Sequence, residues 1–274
     1  MASCPTECAA DGGHAPRFEL FLALRFTCFE GESTLPRRVT KPPGERMCAV
    51  KAKREFMGEE RSTDAIHKMA DAGSLAGAAI LVWQDGKVIQ AAGVGWKDIE
   101  SRLPVERNTL FRIASMTKPI TSTTALMLFD EGRFALDDPI TRWAPEFSQM
   151  RVLRSTTGAL DQTEPAERPI TFEDLLTHRS GLTYADFHSG PIATAYKDAL
   201  GGDIDSEVLP DDWIARLSAL PLIDQPGTAF HYGHSTDLLG LLIARIEDTP
   251  LADVLKRRIF DPLGMDDTDF TVPL

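Results

Sequence analysis

No stretch of this 274-residue sequence is apolar for long enough to cross a bilayer. The nearest early candidate, FELFLALRF at 18–26, is short and interrupted by Glu19 and Arg25. It also lacks the basic start and small-residue cleavage site of a secretory signal, so the sequence reads as a soluble, cytoplasmic chain. Positive charge is scarce as well: 29 Lys and Arg stand against 41 Asp and Glu, a net charge of −12. That deficit argues against nucleic acid or another polyanion as partner, because such partners need clustered Lys and Arg. Cysteine is confined to Cys4, Cys8, Cys28 and Cys48. Without a secretory signal these read as free thiols, and neither a Cys-x-x-Cys nor a His-Glu-x-x-His pattern is present to hold a metal. No cofactor and no metal are expected.

What the sequence does have is an abrupt change of character. Residues 1–55 sum to +2 and the remainder to −14, and TLPRRVTKPPGERM places three prolines just before the change. Residues 1–55 therefore read as an atypical, disordered N-terminal extension, and residues 56–274 as the folded domain. In that domain Ser62 is placed to cap a helix whose apolar positions Ile66, Met69 and Ala70 share one face and which ends at Gly73. Two apolar runs then flank Asp85-Gly86, a pair suited to the positive φ angles of a two-residue hairpin turn.

The next segment contains IASMTKPIT, with Ser115 and Lys118 three positions apart. Fourteen serines and nine lysines in 274 residues make about half of one such pair expected by chance, so spacing alone carries little. Pro119 carries more. Proline is tolerated near a helix start, where the backbone N–H has no intrahelical partner. Ile120, Thr124, Met127 and Leu128 recur at helical spacing, with Gly132 as the stop. The helix must therefore begin close to Ser115, with Lys118 one turn on and on the same face. There the helix dipole and a neighbouring ammonium both favour a serine alkoxide, the species a nucleophile needs. A capping serine beside a solvated lysine fits the same pattern, and the helix argument leaves both open.

Further along, RPITFEDLLTHRSGLTY reads as a helix capped by Thr171 with Asp174 three residues on. A Pro-Gly turn, a Tyr-Gly-His loop, an apolar helix from Leu238 to Ile246 and a last helix, LADVLKRRIF, follow. A hairpin first and helices afterwards give an α+β arrangement with a largely helical part.

Five ordered stretches, FRIASMTKPIT, EGRFALDDPITRWAPEF, RPITFEDLLTHRSGL, QPGTAFHYGHSTDLLG and IFDPLGMDDTDF, resemble the serine β-lactamase and penicillin-binding-protein superfamily. The likeness is to the class C-like branch that includes the family VIII carboxylesterases. The resemblance implies an antiparallel sheet flanked by helices plus a mainly helical domain, and catalysis through an acyl-enzyme. By position, Ser115 matches the acylated serine, Lys118 its partner in the first motif, and Tyr232 the tyrosine of the second. His234 stands where lactamases carry the asparagine that holds a substrate amide, which makes it a substrate-binding candidate and tilts the expectation toward small acyl esters. A β-lactam or D-alanyl-peptide amide is the alternative substrate. The third motif of the family has no counterpart before the sequence reaches TDFTVPL, so the chain reads as C-terminally truncated, without the last strands of the sheet. A catalytically impaired fragment or a binding protein is the reading of another class.

Two competing patterns weigh less. GHSTD at 233–237 resembles the start of a Gly-x-Ser-x-Gly nucleophile elbow but has Asp237 in the fifth place, and Ser235 reads instead as a helix cap. His231 and His234, with His178 and His188, offer a metal-cluster reading, but no metal-ligand spacing supports it, and His178 and His231 read as structural hydrogen-bonding groups in packed turns.

Overall fold

The computed structural model describes residues 58–202 and 206–271. The expected N-terminal extension lies outside the described residues. Two compact units are distinguished among the described residues, 58–111 and 112–271.

In the first unit, helix α1 (Gly58–Asp71) precedes strands β1 (Gly77–Gln84), β2 (Lys87–Asp98) and the short β3 (Leu103–Pro104). They form an antiparallel sheet in the order β1-β2-β3. Asp85 and Gly86 connect β1 to β2 with φ of 50° and 80°, the mirror-image turn that matches strand twist. Gly73, at φ 70°, closes the region after α1 as expected. Ser62 departs from expectation. The helix starts upstream, at Gly58, so Ser62 is an interior residue rather than a cap. Its hydroxyl accepts from Gln90 Nε2 at 2.9 Å, and the same amide reaches Thr63 Oγ1 at 3.1 Å, which ties α1 to β2.

The second unit is mainly helical and carries the core. A 3₁₀ turn (Ala114–Met116) leads into α2 (Thr117–Asp130). The buried stripe of α2 is Thr117, Thr121, Thr124, Ala125 and Leu128, while Ile120 and Met127 sit at its margins. Threonines can fill a packed stripe because their hydroxyls bond back to the helix: Thr121 Oγ1 to the Thr117 carbonyl, and Thr124 Oγ1 to that of Ile120. Strands β4 (Arg151–Leu153) and β5 (Thr163–Pro165) pair antiparallel. Helix α3 (Phe172–Leu176) carries the expected capping box, with the Asp174 N–H on Thr171 Oγ1 and the Thr171 N–H on Asp174 Oδ2. Asp174 also takes both arms of Arg168, at 2.6 and 2.8 Å.

Helices α4 (Pro191–Leu200), α5 (Pro210–Ser218) and α6 (Ser235–Glu247) follow. Helix α7 (Leu251–Leu255) runs through a π-helical turn, Lys256–Phe260, into the short α8 (Asp261–Leu263). α6 is the central element, buried from Ser235 to Ile243 except for a half-buried Asp237, with α2 and α3 packed on it. A helix apolar nearly all round belongs inside a fold. Phe134 stacks on Phe172 at 3.9 Å and Trp143 meets Phe172 edge-on at 5.2 Å, which closes the core beneath α3. Among the described residues, no helix is long and apolar enough to cross a membrane.

Candidate active site

The site is built at the mouth of α2. Ala114 has φ 43°, a left-handed value that alanine adopts only at a cost, and it turns the chain so that Ser115 projects from the first 3₁₀ turn. Ser115 is exposed and Lys118, one turn later, is half-buried. Lys118 Nζ lies 3.4 Å from Ser115 Oγ. Tyr232 arrives from the loop before α6 and places its hydroxyl 2.8 Å from the same oxygen. The expected nucleophile, its lysine and the distant tyrosine thus converge on one atom, and Lys118 Nζ stands 4.7 Å from the centre of the Tyr232 ring.

Two loops must meet closely for this to happen. A Cβ at Gly233 would run into the backbone of Thr183 and come within 2.9 Å of the Tyr184 nitrogen. Glycine there lets the Tyr232 loop lie directly on the Thr183-Tyr184 segment, where the two tyrosine rings meet edge-on at 5.7 Å. Gly181, at φ 83°, likewise turns the chain against the carbonyl of Asp224, where any side chain would collide.

Sequence reasoning missed two members of the site. Tyr184 accepts a hydrogen bond from Lys118 Nζ at 3.2 Å and donates its hydroxyl proton to Asp237 Oδ2 at 3.0 Å. Burial pushes the Asp237 carboxyl up, but the His234 hydrogen bond, the charges of His234 and Lys118, and the Tyr184 hydroxyl outweigh it. Together they hold Asp237 below the usual carboxylate range. An anion therefore sits two hydrogen bonds behind Lys118. Its sequence signal was the acidic residue that spoils the GHSTD elbow pattern. Tyr184 had none, since 66 residues separate it from Lys118.

The structure places His234, expected to bind substrate, outside the lining of the cleft. Its side chain is only 2 % exposed, with Nδ1 3.1 Å from Asp237 Oδ2. The physical reason is its aromatic surroundings: Tyr184 at 4.4 Å and Trp213 at 5.4 Å meet the ring edge-on, and Tyr196 stacks on it at 5.9 Å. Ser235 is also corrected. It caps nothing; it is fully buried, and its hydroxyl lies 2.8 Å from that of Ser180. Burial equally removes it as an accessible elbow nucleophile.

His178 and His231 sit in packed turns. The His231 N–H donates to the His178 carbonyl at 2.7 Å, and His231 Nε2 lies 3.3 Å from Asp224 Oδ2. The His178 ring stacks on Tyr232 at 5.0 Å. Burial first, and then the charge of Lys118, push its pKa down against an opposing pull from Asp237, which keeps the imidazole neutral at neutral pH. In front of Ser115 opens a cleft of about 290 Å³, with Phe187, Asp186, Thr236 and Leu251 among its lining residues.

Comparison with known proteins supplies the context for this geometry. Protein Rv1367c of Mycobacterium tuberculosis is 49 % identical over 208 residues, which are 76 % of this chain and 51 % of that protein. Esterase EstB of Burkholderia gladioli is 35 % identical over 197 residues, 72 % of this chain and 47 % of that one. The solved structure of EstCE1, described as a hydrolase with promiscuous acyltransferase activity, superposes with a TM-score of 0.62 at 28 % identity, covering 74 % of this chain and 51 % of that one. The chain thus spans about half the length of the relatives it matches. The β-lactamase/transpeptidase-like α+β fold expected from the five sequence stretches is the fold observed. The Beta-lactamase family matches residues 63–274, well over half of the sequence, and the chain belongs to that family.

Proposed function

We propose that this protein is a serine carboxylic-ester hydrolase acting on small acyl esters through an acyl-enzyme on Ser115. One observation carries the reading: Ser115 Oγ is within reach of two proton-handling groups at once, Tyr232 Oη at 2.8 Å and Lys118 Nζ at 3.4 Å. Attack of Oγ on the ester carbonyl requires the hydroxyl proton to leave. A phenolate form of Tyr232 receives it, with the ammonium of Lys118 balancing the charge. Collapse of the tetrahedral adduct breaks the ester C–O bond, and the alkoxide leaves with that proton. A water molecule then gives its proton to Tyr232, attacks the acyl carbonyl and releases the carboxylic acid, returning Ser115 to its hydroxyl form.

Esters are favoured over lactams for two reasons. The side chain at 234 does not face the cleft, so the position offers no hand for a substrate amide. The relative EstB is named an esterase. The test is to compare turnover of p-nitrophenyl acetate and butyrate with that of a chromogenic cephalosporin, for the protein and for Ser115→Ala. Ester turnover above lactam turnover, abolished in the variant, is expected. Lactam turnover above ester turnover reverses the substrate assignment, and full turnover by Ser115→Ala removes the mechanism.

A further inference from the structure

We infer that His234 is a positioning residue for Lys118, acting through Asp237 and Tyr184; the inference rests on the Ser115 mechanism proposed above. Asp237 Oδ2 accepts from two donors at once, His234 Nδ1–H at 3.1 Å and Tyr184 O–H at 3.0 Å. Donation to a carboxylate requires a proton on Nδ1. The Tyr184 proton is committed to Asp237, so its oxygen lone pairs are left to face Lys118 Nζ at 3.2 Å. Lys118 is thereby aimed at two neutral oxygens, those of Tyr184 and Ser115, rather than at the carboxylate behind them.

Burying an imidazole to 2 % exposure costs hydration that a phenyl ring would not lose, and the cage of Tyr184, Tyr196 and Trp213 would pack a phenyl ring equally well. A phenyl ring cannot supply the Nδ1–H. Without that donor Asp237 is held from one side only. The attraction between Asp237 and Lys118 then competes with the Tyr184 bridge, and a carboxylate that takes the ammonium directly draws it away from Ser115.

The groups that set this balance come from several elements. His234 and Asp237 belong to the start of α6, Lys118 to α2, Tyr184 and His178 to the segment after α3, and Tyr196 to α4. The His234 hydrogen bond is the largest influence holding the Asp237 carboxyl down, so its removal raises that carboxyl. A carboxyl that protonates at higher pH stops accepting from Tyr184 at higher pH. The acid limb of the pH–rate profile therefore moves upward in pH.

The test uses the full chain, with ester turnover counted per active site titrated by a fluorophosphonate, so that unfolded protein is excluded. His234→Phe keeps the aromatic packing and removes the donor. It should lower kcat per titrated site by about tenfold or more, leave KM within about twofold, and shift the acid limb to higher pH. His234→Asn, whose amide nitrogen occupies the Nδ1 position, should recover part of the loss. Wild-type kcat and an unchanged acid limb in His234→Phe overturn the inference, as does an equal loss in His234→Phe and His234→Asn. If His234→Phe gives no titratable sites, His234→Asn against His234→Gln, whose amide lies one bond further out, carries the test, and equal kcat in the two overturns it. Ser115→Ala separates the two levels. If it is silent while His234→Phe is unchanged, only this inference fails; if it still turns over, the Ser115 mechanism fails instead.

Discussion

The hydroxyl of Tyr184 stands 3.2 Å from Lys118 Nζ and 3.0 Å from Asp237 Oδ2, bridging the lysine to a carboxylate 119 positions away in sequence. Lys118 is thus located by a neutral oxygen instead of a direct ion pair. A hydrogen bond to a charged group contributes about 1.5–3 kcal/mol. Tyr184→Phe, which removes the bridge and keeps the ring, should therefore lower kcat about tenfold to a hundredfold with little change in KM. Steady-state kinetics on p-nitrophenyl esters checks this; unchanged kcat would mean that Lys118 is held by other contacts.

Gly233 is the second leverage point. Added bulk must push apart the Tyr232 loop and the Thr183-Tyr184 segment, because the obstruction is backbone and cannot rotate away. Overpacking of this kind costs about 1–3 kcal/mol, and a displacement of about 1 Å at a reacting group can cost a hundredfold in rate. Gly233→Ala should accordingly lose far more activity than stability. Thermal melts and turnover measured on one preparation check it. A fall in melting temperature with full turnover contradicts it.

Asp174 makes a stability prediction with a defined sign. Burial raises its carboxyl, but the hydrogen bonds and charge of Arg168 and the bonds from Thr171 win, so its folded pKa lies below the ordinary value. A depressed carboxyl stabilises the fold above its unfolded pKa, and that contribution is lost as pH falls through the folded value. Asp174→Ala removes the carboxylate arm of the capping box and leaves Arg168 without this counterion. Arg168 is 43 % exposed, so solvent screens part of the pair, and a total cost of about 2 kcal/mol follows. Urea midpoints for the protein and the variant should differ most at neutral pH and converge in acid. A gap that widens in acid contradicts the assignment.

His234→Asn restores the Tyr-x-Asn pattern of lactamases in sequence only. The position lies among Tyr184, Tyr196 and Trp213 and not in the cleft. Lactam turnover in this variant should stay below ester turnover, as measured with a chromogenic cephalosporin. A gain in lactam hydrolysis would show that residue 234 reaches substrate.

Features set by the chain's own neighbours were legible in the sequence. The Asp85-Gly86 turn, the Thr171-Asp174 box and the helix start implied by Pro119 each depend on a few adjacent residues, and each stands where the sequence put it. The convergence of Ser115, Lys118 and Tyr232 came from resemblance, since 117 residues separate the serine from the tyrosine. What was misjudged depends on tertiary surroundings. Ser62 and Ser235 have the composition of caps, yet one bonds across to β2 and the other to Ser180, because the faces they occupy are covered. His234 was expected at the substrate because it stands where lactamases carry the asparagine of the second motif. Its ring packs instead against Tyr196 of α4 and Trp213 of α5.

The most direct test of the central claim is to find which residue a fluorophosphonate labels. The full chain is treated with the probe, digested, and the modified peptide sequenced by mass spectrometry. The account predicts one adduct on Ser115, absent in Ser115→Ala and slowed in Tyr232→Phe. An adduct on Ser235 or any other residue, or labelling that survives in Ser115→Ala, would contradict it.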